Sequence, residues 1–136
     1  MQTKKLLFNH VLFLEVSFQK GDEFGKQYQW SKDSIDERVK AAETKNWGKV
    51  GGAYGAGETK ILYETINLYK DKIIGKRVLV IGSLTPWVEA ILLAIGAKHV
   101  TTLEYNQIAS THPQVDKTYL SLISNLSFFN VQELSK

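Results

Sequence analysis

The run RVLVI at residues 77–81, closed by Gly82, constrains the fold of this chain more than any other feature. It lacks the apolar–polar alternation of a half-exposed strand, which suits a strand buried on both faces inside a parallel sheet. A helix is signalled directly after it. Thr85 is suited to cap that helix, and Pro86 suits its first position, where a missing N–H costs little. Val88, Ile91, Leu92 and Ile95 then recur at helical spacing until Gly96. In HVTTLE, residues 99–104, Val100, Thr102 and Glu104 alternate with Thr101 and Leu103, the pattern of a second strand. A helix between two strands supplies the long crossover that parallel pairing requires. The expected fold class is therefore α/β, a parallel sheet with flanking helices.

Flanking segments are less regular. Ser34 and Glu37 have the spacing of a capping box, which predicts a helix from Ile35 to about Thr44 with Ile35, Val39 and Ala42 on one face. Leu62, Ile66, Tyr69 and Ile73 predict an amphipathic helix from about Glu58 to Lys72, stopped by Gly75. Between these two helices lies GGAYGAGE, residues 51–58, a glycine-rich loop that no strand precedes, which counts against a P-loop. QKGDEFGKQYQW, residues 19–30, has no sustained period and reads as loop. Pro113 falls in a polar loop, residues 119–126 suit a short helix and SFFNV at 127–131 a short strand. The apolar start, MQTKKLLFNHVLFLEVSF, is interrupted by Asn9, His10 and Glu15. It falls short of the roughly 20 apolar residues a membrane helix needs and is expected to be a docking helix or edge strand.

At 136 residues, with 43% hydrophobic and 23% charged residues, the chain is of a size and composition to build one globular core. Its net charge of +3 is spread among alternating acids, so neither nucleic acid nor membrane is expected as a partner. The chain has no cysteine, which removes disulfides, thiolate zinc sites and a cysteine nucleophile and suits a reducing, cytoplasmic location. His10, His99 and His112 lack metal-ligand spacing, and no metal is expected.

In nucleotide-binding Rossmann units the first strand ends at a glycine turn, the helix N-terminus faces the ligand, and an acid closing the second strand holds the ribose hydroxyls. Gly82 and Glu104 have this placement, at close to the ~20-residue separation such units use. Ser83 follows in the turn, and Tyr54 of the glycine-rich loop could stack on a base. In the bland alternative Gly82 only makes the turn, Glu104 is solvated at a strand end, and the loop around Tyr54 is a flexible lead into its helix.

The string VLVIGSLTPWVEAILLAIGAKHVTTLEYN resembles motif I and the following acidic strand of class I S-adenosylmethionine-dependent methyltransferases. WSKDSIDERVKAA, GGAYGAGETKILYETIN and THPQV extend the likeness to a Caenorhabditis domain-of-unknown-function family with a comparable Rossmann core. The resemblance implies a partial Rossmann-like, methyltransferase-type sheet over residues 30–115, between an N-terminal apolar segment and loop (1–29) and a divergent tail (116–136). It implies S-adenosylmethionine as cofactor, with Gly82, Ser83, Glu104 and Tyr54 as its binding residues, and it assigns no catalytic residue.

Three departures weaken that implication. The acid two residues before the motif's first glycine is Val80 here, and the later glycines are replaced within Ser83–Trp87, so that Leu84 crowds the cofactor's path and Pro86 offers no donor. Residues 105–136 contain no acid–base pair, since Asp116 and Glu133 are isolated. The expectation is a truncated or degenerate methyltransferase-like protein without independent catalysis. The alternatives are a true methyltransferase, which self-association would complete, and a protein-interaction module working through unpaired sheet edges.

Overall fold

A computed structural model describes residues 27–104 and 107–119. In chain order the elements are β1 (Gln27–Trp30), α1 (Lys32–Glu43), α2 (Trp47–Val50), α3 (Ala56–Leu68), α4 (Lys70–Ile73), β2 (Arg77–Ile81), α5 (Trp87–Ile95), β3 (His99–Glu104), β4 (Gln107–Ser110) and β5 (Val115–Tyr119). The architecture is mixed α/β, with two small parallel sheets and flanking helices. One sheet has the order β2-β3-β5, and the other pairs β1 with β4.

The opening strand, helix and strand of the sequence are β2, α5 and β3. Val78 pairs with Val100 and Val80 with Thr102, both in parallel register. Val78, Val80, Val100 and Val115 are all buried and share the sheet face that α5 covers. In α5, Trp87 to Leu92 are buried without interruption, so this helix is enclosed on all sides rather than amphipathic. It packs on β2 and β3 and against α1, α3 and α4. The core joins it to Ile35 and Ala42 of α1, Val50 of α2, Ile66 of α3, Ile73 of α4 and Ile108 of β4. Removing one such aliphatic side chain from water stabilises the fold by roughly 1.5–3 kcal/mol.

Among the described residues the β3-to-β5 connection holds no helix and includes β4 and a turn at 113–114. That turn is fastened to the start of α1. Thr111 donates its backbone N–H to the Trp30 carbonyl at 3.1 Å, and Thr111 Oγ1 accepts the Lys32 N–H at 2.9 Å. His112 Nδ1 accepts the Gln114 N–H at 3.0 Å, leaving Nε2–H to face Asp36 Oδ1 at 3.0 Å, and Lys32 bonds the same carboxylate. WSKDSID and THPQV, far apart in sequence, therefore form one hydrogen-bonded junction.

Several local expectations are corrected. Ser31 caps α1 by accepting the Ser34 N–H at 3.1 Å, so the helix begins a turn earlier than the Ser34 box implied, and the Lys32–Asp36 pair supports that first turn. The single helix expected to Lys72 breaks at Tyr69 into α3 and α4, leaving Tyr69 half exposed while Ile66 and Ile73 stay buried. Pro86 is the cap of α5 rather than its first residue, and Thr85 is exposed and makes no capping bond. Residues 27–30 are strand rather than loop because β4 supplies their partner, and Tyr119 ends a strand rather than starting a helix. The expected docking segment at 1–18, the remainder of the 119–126 helix and the 127–131 strand lie outside the described residues. Among the described residues no helix is long and apolar enough to cross a membrane.

Candidate functional site

The strand-to-helix turn after β2 is the part of the fold where a ligand-binding arrangement was expected, and it is built almost entirely from internal hydrogen bonds. Gly82 adopts φ 75°, a conformation that costs side-chain-bearing residues steric strain, and its N–H bonds the Leu103 carbonyl at 2.8 Å. The chain is thereby turned over the end of β3. Ser83 follows, 2% exposed, and its backbone N–H donates to Glu104 Oε2 at 2.8 Å. Glu104, 5% exposed, closes β3 on the same face as Val100 and Thr102.

Glu89 lies beneath this turn. It stands on the first turn of α5 with no exposed surface, and its Oε1 accepts the Thr102 hydroxyl at 2.7 Å. Its Oε2 lies 3.1 Å from Ser83 Oγ, which is also 2.8 Å from the Thr85 carbonyl oxygen. A serine hydroxyl has one proton to give, and the carbonyl can only accept. Every partner is satisfied when Glu89 is protonated on Oε2: it donates to Ser83 Oγ, which donates to Thr85. Burial is the main cause pushing the Glu89 carboxyl up, to about 7; the hydrogen bond from the Thr102 hydroxyl opposes this, and the neighbouring Glu104 charge adds to it. Among the described residues no buried side-chain nitrogen or oxygen is without a partner.

From outside the β2–α5–β3 unit, Trp30 of β1, 4% exposed, donates its indole N–H to the Leu84 carbonyl at 3.0 Å. On the next turn Trp87 is buried against the glycine-rich loop. A Cβ on Gly52 would fall 3.1 Å from the Trp87 ring and 1.9 Å from Thr59 Oγ1, so only glycine lets that backbone approach. The structure thus brings Gly82, Ser83 and Glu104 together. Tyr54 comes from the separate Gly52 loop and is half exposed.

Two members of the network, Glu89 and Thr102, were not among the expected cofactor-binding residues, although Glu89, on the first turn of its helix, is placed by sequence either to face a cleft or to pack and be solvated ordinarily. Each left a signal. Glu89 is the single charge within WVEAILLAI, and Thr102 shares strand parity with Val100 and Glu104. A charge in a helix enclosed on all sides requires a partner or a proton.

Among the described residues no group of three or more histidines, aspartates or glutamates is placed to hold a metal ion. His99 and His112 are each engaged with an aspartate, Asp116 at 2.9 Å and Asp36 at 3.0 Å. Comparison with known proteins returns no match to a family model, to a curated protein or to a solved structure.

What the arrangement does chemically is to hold a turn. The Ser83 N–H, which in an anion-binding turn faces the ligand, is taken by the chain's own carboxylate. The carboxyl group of Glu89 has no exposed surface.

Proposed function

We propose that this chain is a degenerate methyltransferase-like protein in which the nucleotide crevice has become a hydrogen-bonded core, leaving no methyl transfer of its own. The observation that carries this is the Ser83 N–H bond to Glu104. It ties the acid in the ribose-binding position to the turn that would otherwise face the cofactor. Trp30 on the Leu84 carbonyl and Glu89 beneath Ser83 support the same reading, since both fill the turn from within. The chain compensates for Val80, where the methyltransferase motif has an acid, by ordering the turn from Glu104 and Glu89 instead.

The test is thermal melting of the full chain with millimolar S-adenosylmethionine, together with transfer of a labelled methyl group to a mixture of acceptors. No rise in melting temperature and no transfer are expected. A rise that Glu104→Ala abolishes would overturn the proposal and favour the methyltransferase alternative, because a ligand that binds only the native state raises stability by RT ln(1 + [L]/Kd).

An interaction role has one observation in its favour: among the described residues β2 pairs on one side only, leaving an edge that a second copy could extend. Sedimentation of the full chain decides this; a strict monomer across the accessible concentration range counts against it.

A further inference from the structure

The groove between α1 and α2 is remote in sequence from the Gly82 turn. It is open to solvent on one side and has a volume of about 610 Å³, within the range of small-molecule sites, and its walls include Ser34, Glu37, Arg38, Lys40, Asn46 and Lys49. Three cations face one acid there. Among the described residues none of Arg38, Lys40 and Lys49 forms an ion pair.

Arg38 is held in place by its surroundings. Its Nη1 donates to the Val50 carbonyl at 2.6 Å, at the end of α2. The following residue, Gly51, turns the chain at φ 75°, and a Cβ there would lie 2.3 Å from that same Nη1. The bare glycine is therefore what allows the guanidinium to dock. One bond fixes the group, and its other N–H donors have no partner among the described residues. Asn46 contributes similarly: its Oδ1 accepts the Lys49 N–H at 3.4 Å, which leaves its amide NH₂ as a donor.

We propose that this groove is a binding site for a small phosphomonoester, with Arg38 as the pre-positioned anchor and Lys40 and Lys49 as the flanking charges. Phosphate fits for two reasons. Its two negative charges near neutral pH match the excess of two cations over one acid, and its three terminal oxygens suit a guanidinium with free donors. The site is independent of the methyltransferase-like reading and stands or falls separately from it.

The experiment is an amide-resolved NMR titration of the full chain with glycerol phosphate at constant ionic strength. Saturable shifts are expected at Asn46 and Lys49 and at the Arg38 side-chain Nε–H. The double variant Lys40→Ala with Lys49→Ala, whose side chains are solvated and whose loss leaves the core intact, weakens binding by about tenfold. Arg38→Lys keeps the charge but loses the fork and weakens it as well. Shifts that grow linearly without saturating, an equal response to chloride, or unchanged affinity in the double variant overturn the proposal. Binding to phosphatidic acid vesicles without binding to glycerol phosphate also overturns it, since the ligand would then be a membrane surface.

Discussion

Two polar junctions tie sequence-distant parts of this molecule together, and they are built on opposite electrostatic terms. At the end of β2, Glu89 and Glu104 are buried beneath and beside the Gly82–Ser83 turn, and burial raises the Glu89 pKa to about 7. At the start of α1, Asp36 is held as an anion by Lys32 and His112 at the protein surface, and its pKa is lowered, chiefly by the hydrogen bond from Lys32. The same functional group therefore answers to opposite pH limits. Burial removes the water that would solvate a carboxylate, whereas an exposed carboxylate keeps its water and gains a cation.

The largest expected effect follows from Glu89. Its folded pKa, about 7, lies above the unfolded value of 4.5, so between these limits the native state binds the extra proton and stability falls as pH rises. The loss amounts to about 3 kcal/mol across that window and is constant above it. Urea unfolding from pH 4 to 8 measures it. Glu89→Gln reproduces the protonated geometry, accepting from Thr102 and donating to Ser83 Oγ, and should abolish this slope. A slope that persists in the variant would place its origin elsewhere.

Next is the partner carboxylate. Glu104→Ala leaves the buried Ser83 N–H without its acceptor and should cost about 1–3 kcal/mol. Glu104→Gln retains an acceptor and removes a charge near Glu89, so it should cost less and shift the Glu89 transition to lower pH. Equal losses in the two variants would mean that the hydrogen bond to Ser83 is not what Glu104 supplies.

At the surface junction His112→Ala should cost about 1–2 kcal/mol, because the buried ring supports both Gln114 N–H and Asp36. Lys32→Ala should leave unfolding at neutral pH almost unchanged, since the exposed pair is screened by water and salt. What small effect it has is present at neutral pH and fades in acid, where Asp36 is protonated. The lowered Asp36 pKa contributes stability above the unfolded value of 3.8 that is lost as pH falls through the folded value, and Lys32→Ala should move that loss to higher pH. A Lys32→Ala loss at neutral pH as large as that of His112→Ala would erase the distinction between the buried and exposed junctions.

The comparison also marks where sequence patterns carry information. The β2–α5–β3 unit was legible because its signals are local: an unbroken apolar run, a proline before a helical spacing, a glycine after it, and strand alternation. The capping serine of α1 was displaced by one turn because Ser31 and Ser34 both precede acids that suit a first turn, and tertiary contacts to Thr111 selected the earlier one. Strands β1 and β4 were missed because QYQW and QIAS carry almost no pattern alone and become strands only by pairing with each other. In the site, Gly82 and Glu104 could be found by position, but where the Glu104 carboxylate points could not.

By itself, then, the sequence determined the strand–helix–strand unit, the turn at Gly82 and the acid at its far end, since backbone propensity and side-chain periodicity act within a few residues. Tertiary structure alone decided the β2-β3-β5 order, the closing of the Gly82 turn by Glu104, and the raised pKa of Glu89. Those depend on which groups are deprived of water together, and that is fixed only when residues such as Trp30, Ser83, Thr102 and Glu104 are brought into one place.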